Sequence, residues 1–288
     1  MLRKLTCALL VTGASAFPQT PTTGPTARQI IETVREKLGV QWSGNTVDTI
    51  KAGDPDTVVT GVATTMMATH DVLRRAAAEG KNLVITHEPT FYSHLDQTTG
   101  LEQENDAVWA EKAKFIRDHK MVVWRFHDYW HMRQPDGILE GVLHALDWHK
   151  QYSAETKLVT IAPARVDQLA AYVQKKLGAK VLRVVGQPDL TVSRIALSPG
   201  AGGAVGHRRA LQRPDVEVLL IGEVPEWETI EYVSDAAAQG RKKVLFLIGH
   251  IPSEQPGMEN CARWLKTFIN NVPVGFVPTV EPFWTPQR

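Results

Sequence analysis

The chain has 288 residues, of which 43% are hydrophobic and 22% are charged, and its formal net charge at pH 7 is +1. This composition is that of a globular protein, and it excludes collagen-like, low-complexity and disordered classes. Because 32 basic residues are balanced by 31 acidic ones, nucleic acid and anionic membranes are not expected as main partners. At this length we expect one large α/β domain or two lobes packed on each other.

The N-terminus has the three parts of a secretory signal peptide. A basic start at residues 3–4 precedes an apolar run over 5–11, and residues 14–16 read Ala-Ser-Ala, an A-x-A cleavage site. The apolar run is far shorter than the roughly 20 residues that a membrane span requires. We therefore expect a signal peptide over 1–16 and a Pro- and Thr-rich linker over 17–25. The mature protein is then exported, periplasmic or secreted, with no membrane contact after cleavage.

The first predicted lobe covers residues 26–150. Thr26 and Gln29 form a capping box that starts a helix, whose apolar positions continue at helical spacing to Leu38. The next predicted elements are a strand over 57–64, a helix over 69–79, a strand over 83–86, a helix over 105–120, a strand over 122–126 and a helix over 138–146.

The second predicted lobe covers residues 151–288 and repeats the alternation of strands and helices. Its predicted elements are a strand over 158–161, a helix over 165–177, strands over 181–185, 195–197 and 216–221, a helix over 227–239, a strand over 243–248 and a helix over 254–270. Alternation of this kind predicts an α/β fold with mostly parallel sheets and helices on their faces.

Two segments of the chain resemble each other. Residues 76–80 read Ala-Ala-Ala-Glu-Gly and lead through an apolar strand to His87, while residues 236–240 read Ala-Ala-Ala-Gln-Gly and lead through another apolar strand to His250. Alanine-rich helices that end at glycine are common in α/β proteins, so coincidence is one explanation. The other explanation is two related lobes that face each other across one site.

Three predicted strand ends carry histidine and carboxylate side chains, at 86–89, 127–131 and 249–254. Ligands of open α/β sheets gather beyond the carboxyl ends of the strands, and imidazole with carboxylate suits Zn, Fe, Mn or Ni. Cys261 is the one cysteine left after signal cleavage and falls inside the last helix, so the cluster is not a typical structural zinc site. Taken singly, each residue has another explanation, since Glu254 suits the first turn of a helix and Asp128 suits a turn.

The motifs at 83–96, 127–131, 222–224 and 249–254 together resemble the Nif-three family, NGG-one interacting factor three, over about residues 26 to 285. Many members carry the label GTP cyclohydrolase I type 2 homologue. The resemblance implies two similar α/β lobes that face each other across a dinuclear metal centre, assembled as a homo-hexamer.

The resemblance also implies a set of metal ligands, with exchanges. The His-His-Pro of the family stands here as His87-Glu88-Pro89, and Glu88 can still coordinate and can bridge two metals. The pair formed by a histidine and a glutamate four residues later is unchanged as His250 and Glu254.

The remaining family ligand, an aspartate four residues after a histidine, is replaced in this sequence. The histidine matches His127, the aspartate position holds His131, and Asp128 is a possible substitute. Which of the last two fills the position is open. The implied ligands are His87, Glu88, His131, His250 and Glu254, with His127 and Asp128 as reserve or outer-shell candidates.

These residues predict two divalent metal ions and a metal-dependent hydrolase that acts on a small molecule. Glu88, Glu254 and Asp128 are the candidates for the general base. The alternative is a noncatalytic metal-binding scaffold, or a ring that binds a partner through its surface. A glycine-rich segment over 198–203 either cradles a phosphate or forms a turn that needs positive φ.

Overall fold

The structure is a computed structural model, and it describes residues 24–286, so the predicted signal peptide and residues 17–23 of the linker lie outside it. The helices are α1 (Ala27–Leu38), α2 (His70–Ala78), α3 (Thr99–Gln103), α4 (Ala107–Asp118), α5 (Asp128–Met132), α6 (Gly137–Ala145), α7 (Val166–Leu177), α8 (Ala204–Gln212), α9 (Glu231–Ala238) and α10 (His250–Leu265). The strands are β1 (Ile50–Ala52), β2 (Val62–Thr65), β3 (Leu83–Thr86), β4 (Val122–Arg125), β5 (Tyr152–Ser153), β6 (Leu158–Arg165), β7 (Arg183–Val185), β8 (Thr191–Ser198), β9 (Val218–Ile221), β10 (Val244–Leu247) and β11 (Val274–Phe276).

The first sheet has five strands in the order β1-β4-β3-β2-β11. All neighbours pair in parallel except β1, which is antiparallel to β4 at one edge. Thr86 at the end of β3 is opposite Thr65 on one side and Arg125 on the other. The residues that follow these strands therefore meet at the same edge of the sheet, as the sequence predicts.

The second sheet has six strands in the order β5-β6-β8-β9-β10-β7. Its three central strands, β8, β9 and β10, are parallel, and the outer strands are antiparallel to their neighbours. The expectation of mostly parallel sheets thus describes the first sheet and only the centre of the second. The mixed α/β architecture with two sheets is confirmed.

The C-terminal part of the chain joins the two sheets. Helix α10 follows β10 of the second sheet but packs on α6 and on β2 of the first sheet. Glycine makes this contact close, because a Cβ on Gly141 would lie 2.6 Å from the Cα of Gly257 in α10. After α10 the chain continues into β11, which pairs with β2. The two lobes therefore share one core, and a domain division at residue 150 stays a prediction.

Several predicted segments differ from the structure. The strand predicted over 57–64 is confined to Val62–Thr65, because residues 57–59 bond to residues 25–27 at the start of α1. The strands predicted over 158–161 and 195–197 are longer, and the helix predicted over 227–239 is α-helical only over Glu231–Ala238. The 127–131 segment, predicted as a loop, is a short helix. The last helix, predicted over 254–270, spans His250–Leu265. Within residues 24–286 no helix is both long and apolar enough to cross a membrane.

Candidate metal centre

The first part of the site is at the end of β3. All four residues of this strand are buried, and the chain stays in register beyond it, since the backbone N–H of His87 donates to Thr65 and that of Glu88 donates to Met66. His87 is fully buried, and its Nδ1 lies 3.4 Å from the carbonyl oxygen of Phe126. That contact directs Nε2 into the site, where it has no hydrogen-bond partner among the described residues.

The second part of the site is the first turn of α10. Gly249, with φ +96°, allows the chain to turn directly from β10 into the helix. His250 and Glu254 are then one helical turn apart and project from the same face. The Oε2 atom of Glu254 lies 3.0 Å from Nε2 of His250 and 3.5 Å from Nε2 of His87. The Glu254 carboxylate is therefore buried between the two imidazoles and contacts both.

The third part is the short helix α5, which follows β4. The Asp48 carboxylate accepts the backbone N–H groups of His127, Asp128 and Tyr129 at 2.7–3.0 Å, so it caps the start of this helix. His127 and His131 are again one turn apart. The four-residue spacing of the two histidines, which we predicted to lie in a loop, is therefore the spacing of one helical turn.

Two carboxylates orient the imidazoles of α5. Nδ1 of His127 is 2.9 Å from Asp128, and Nδ1 of His131 is 3.0 Å from Asp136. Each contact leaves Nε2 free to face the site, which is the usual arrangement of a histidine ligand and its outer carboxylate. The other oxygen of Asp128 accepts hydrogen bonds from Thr46 Oγ1 and from the backbone N–H of Val47.

The three parts meet in one cluster. The ring centroid of His87 is 4.5 Å from that of His127 and 5.0 Å from that of His131. Two overlapping sets of donor atoms lie within 4.8 Å of one another, and they are His87 with His127 and His131, and His87 with Glu88 and Glu254. Oε1 of Glu88 is also 3.2 Å from Nε2 of His250. The side chain shared by both sets is His87.

The charges in this cluster are strongly coupled. Burial lowers the pKa of His250, but the carboxylates of Glu223, Glu254 and Glu88 outweigh it and raise that pKa to about 12. Burial, together with the other imidazoles, lowers the pKa of His87 well below its ordinary value, so this ring is neutral. Three carboxylates thus surround one histidine, while a neutral imidazole is presented beside them. An excess of anionic donors with neutral nitrogen is what a divalent cation requires.

Of the seven sequence-predicted residues, six present a donor atom to this cluster, and they are His87, Glu88, His127, His131, His250 and Glu254. The seventh, Asp128, lies behind the cluster: one carboxylate oxygen contacts Nδ1 of His127 and so orients that ring, and the other accepts from Thr46 and Val47. Glu223, in the 222–224 motif, lies 3.1 Å from Nδ1 of His250 and is the outer carboxylate of that ring.

Sequence analysis missed two residues that shape the site. Arg125, fully buried at the end of β4, donates to the carbonyl oxygen of His87 and lies 3.2 Å from Oε2 of Glu88. The sequence feature that could have indicated Arg125 is a charged residue at the end of a buried strand. Gly200, in the glycine-rich segment, has φ +67°, and a Cβ there would lie 2.2 Å from Oε1 of Glu254. That segment is a turn against the site, as one of the two interpretations expects.

The cluster opens into a cavity of about 790 Å³. A space of this size accommodates a small organic molecule. Its lining includes residues from both lobes, among them Glu88, Thr90, Lys112, His127, His131, His250 and Glu254.

Fold and site together define a two-sheet α/β protein with a cluster of histidine and carboxylate donors where strands of both sheets end. The chain belongs to the DUF34/NIF3 family, NGG1p interacting factor 3, whose family model matches residues 26–282. A curated relative, the GTP cyclohydrolase 1 type 2 homolog of Chlamydia pneumoniae, is 22% identical over 247 residues, which cover 81% of this chain and 90% of the relative.

Solved structures show the same fold. A Bacillus cereus protein related to NIF3 matches with a TM-score of 0.72 at 13% identity, covering 92% of this chain and 100% of its own. The Staphylococcus aureus hypothetical protein SA1388 matches with a TM-score of 0.69 at 15% identity, again covering 92% of this chain and 100% of its own. At these identities the likeness concerns the fold alone.

Proposed function

We propose that the mature protein is an exported, dinuclear-metal-dependent hydrolase that acts on a small molecule. The observation that carries the proposal is Nε2 of His87, a buried atom of a neutral imidazole that has no hydrogen-bond partner among the described residues and faces the Glu254 carboxylate across 3.5 Å. A buried polar atom is costly to leave unpaired, so this nitrogen beside a carboxylate favours a cation that both can bind.

The donor chemistry fits two divalent ions, of Zn, Fe, Mn or Ni type. One ion would be held among His87, His127 and His131, and the other among the carboxylates of Glu88 and Glu254 with His250. Such ions, when bound, lower the pKa of water and polarise the bond to be cleaved. Glu88 would help to hold the ions through Oε1, which lies 3.2 Å from Nε2 of His250 and 3.7 Å from Nε2 of His127, while Oε2 faces Arg125.

The remaining residues prepare the site for this chemistry. Arg125 holds Glu88 in place, and Asp128 and Asp136 fix the ring orientations of His127 and His131. Glu88 and Glu254 remain the candidates for a general base. Asp128 is better suited to positioning, because both its oxygens are engaged outside the cavity.

The name of the Chlamydia pneumoniae relative, a GTP cyclohydrolase 1 type 2 homolog, supports a hydrolytic reaction. Export rests on the N-terminal sequence, and N-terminal sequencing of secreted or periplasmic protein should then begin at Phe17. A homo-hexamer rests on the resemblance to the family and on exposed aromatic residues, such as Trp227 at 76% and Trp284 at 77% exposure. Light scattering that gives a monomer with metal bound would contradict the hexamer.

Metal analysis of the purified mature protein, joined to a hydrolase screen with and without chelator, tests the proposed function. We expect about two divalent ions per chain and an activity that chelator removes and metal restores. His149→Ala, at an exposed histidine outside the site, is the control and should retain both. Bound metal without any chelator-sensitive hydrolysis would favour the noncatalytic scaffold, and absence of metal would reject the proposal.

A further inference from the structure

A buried lysine lines the same cavity and takes no part in the metal cluster. Lys112, on α4, is only 4% exposed, and its Nζ donates to the carbonyl oxygen of Thr90 at 2.5 Å. Its ammonium also lies 5.7 Å from the ring centre of Phe91 and 5.2 Å from that of Tyr92. Within residues 24–286 it forms no ion pair with a carboxylate. A lysine that is buried in this way is rare unless it is paired.

Beside it is a second group without a partner. Thr90 is 1% exposed and lines the cavity, and its Oγ1 has no hydrogen-bond partner in the described part of the protein. Lys112 and Thr90 therefore present an ammonium group and a hydroxyl group at one wall of the cavity. Both are donors, and neither is satisfied by an anion of the protein.

The nearest aspartate is already engaged. The carboxylate of Asp96 accepts the backbone N–H groups of Thr90 and Phe91 at 2.6 and 2.7 Å. It also lies 3.6 Å from Nζ of Lys51 and 3.9 Å from Nη1 of Arg125. Within the described residues Asp96 forms ion pairs with two other cations and none with Lys112, so it compensates the charge of Lys112 only in part.

Electrostatics agrees with this geometry. Burial lowers the pKa of Lys112 to about 8, although the charge of Asp96 acts in the opposite direction. The ammonium form is costly because the lysine has left water without gaining a counter-ion. An anion in the cavity would supply that counter-ion, and the attraction is strong where little water screens it.

We propose that Lys112 and Thr90 form an anion-binding subsite in the cavity of the candidate metal centre, so that the substrate carries a phosphate or a carboxylate group. Lysine binds such groups as a point charge, and a hydroxyl donates one further hydrogen bond. The assignment of this anion as part of a substrate rests on the proposed function. Anion binding by the two side chains does not require it.

The competing explanation is that Lys112 only fixes the Thr90 segment through its bond to the carbonyl oxygen. The substitutions Lys112→Met, Lys112→Arg and Thr90→Val separate the two explanations. Methionine keeps the stem but removes the charge, whereas arginine keeps the charge. Lys114→Met is the matched control, because Lys114 is on the same helix, is exposed and pairs with Asp118.

Isothermal titration with inorganic phosphate and, separately, with acetate measures the subsite in metal-loaded and in metal-free protein. In metal-free protein we expect Lys112→Met to weaken binding at least tenfold and Thr90→Val about three- to tenfold, as loss of a charged and a neutral hydrogen bond implies. Lys112→Arg and Lys114→Met should bind within about twofold of the wild type, and all variants should keep their metal content. Preference for phosphate or for acetate decides which anion the substrate carries.

Two results would overturn the subsite: neither anion binds the wild type, or Lys112→Met binds both as tightly as the wild type does. If Lys112→Met does not fold, the test uses Thr90→Val and Lys112→Arg instead. The proposal is then rejected if Thr90→Val binds the anions as tightly as the wild type and Lys112→Arg does not bind them. A wild type that binds anions but no metal would reject the proposed hydrolase while leaving the subsite in place.

Discussion

The ends of β3 and β10 place the same chemistry in two different backbone settings. After β3, His87 and Glu88 are adjacent in a bend, and the bonds of their backbone N–H groups to Thr65 and Met66 fix them. After β10, Gly249 starts a helix, and His250 and Glu254 come together because they are one turn apart. A histidine and carboxylate pair can therefore be built from neighbours in a bend that follows a strand or from one face of a helix.

The two settings differ in exposure as well. The His87 side chain is fully buried, whereas that of His250 is 17% exposed and borders the cavity. We infer that His87 is the rigid anchor of the cluster and that His250 faces the substrate. The predictions below test this difference.

The largest expected effect is loss of metal from His87→Ala. Because His87 belongs to both donor sets, we expect its removal to lower metal affinity more than about 100-fold, since even outer partners of ligands cost about 10- to 100-fold. His250→Ala should cost less, because Glu88 and Glu254 remain. Metal titration with a competing chelator measures both. Equal losses would remove the distinction between anchor and substrate side.

Glu254→Gln tests the helical pair itself. The amide keeps the shape of the side chain but removes the anionic donor, so we expect one of the two ions to be lost and the other retained. Metal stoichiometry by elemental analysis reads this out. Retention of both ions would show that the Glu254 carboxylate is not needed for either site.

Gly200→Ala tests whether the position of the Glu254 carboxylate matters for metal binding. A Cβ at Gly200 would meet Glu254 Oε1 at 2.2 Å, so we expect a displaced carboxylate and a metal affinity lowered about tenfold. Gly203→Ala is the matched control, since Gly203 also has positive φ, +78°, but no atom within 4 Å of the added Cβ. Both should lose about 1 kcal/mol of stability through backbone strain. If both lose metal equally, the contact with Glu254 is irrelevant.

Substitution of the carboxylates that orient the histidine ligands should lower metal affinity by a smaller factor. We expect Asp136→Asn and Asp128→Asn each to lower metal affinity about tenfold, because each leaves an imidazole of α5 less firmly oriented. His131→Ala should cost more than Asp128→Asn, since His131 presents a donor atom to the cluster and Asp128 does not. If chelator competition shows a larger loss of metal affinity for Asp128→Asn than for His131→Ala, then Asp128 takes the place of the aspartate ligand of the family.

A substitution at Glu217, at the end of the second sheet opposite the metal centre, should affect only the stability of the protein. The carboxylate of Glu217 accepts hydrogen bonds from the backbone N–H groups of Ser193 and Arg194 and from Lys242. Burial raises its pKa, but these donors outweigh burial and lower that pKa from 4.5 to about 2. We expect Glu217→Gln to lose about 1 to 2 kcal/mol of unfolding free energy at pH 7, with metal content unchanged.

This effect has a defined pH dependence. A lowered carboxyl pKa stabilises the folded protein above the unfolded value of 4.5, and the contribution disappears as pH falls toward about 2. Urea unfolding followed by tryptophan fluorescence should therefore show the difference between wild type and Glu217→Gln at pH 7 and 5, and a smaller difference at pH 3. A difference that is independent of pH would place the effect in packing instead.

The sequence by itself determined the buried strands and the residues that end them. Continuous apolar runs over 83–85 and 244–248 and the capping box at Thr26 depend on local chemistry, so they could be predicted without the fold. The same runs located His87 and His250. Their meeting was predicted only from the similarity of the two segments and from the family resemblance, because β3 and β10 lie in different sheets.

Only the tertiary structure decided which side chains face the cluster. The cap that turns 127–131 into a helix comes from Asp48, 79 residues before His127, and no local pattern shows it. The same helix directs His131 into the site and Asp128 away from it. The pairing of β11 with the first sheet, the contact of Gly200 with Glu254 and the burial of Lys112 without a carboxylate partner likewise join distant segments. Their cause is three-dimensional packing, in which residues far apart in sequence compete for the same space and the same hydrogen bonds.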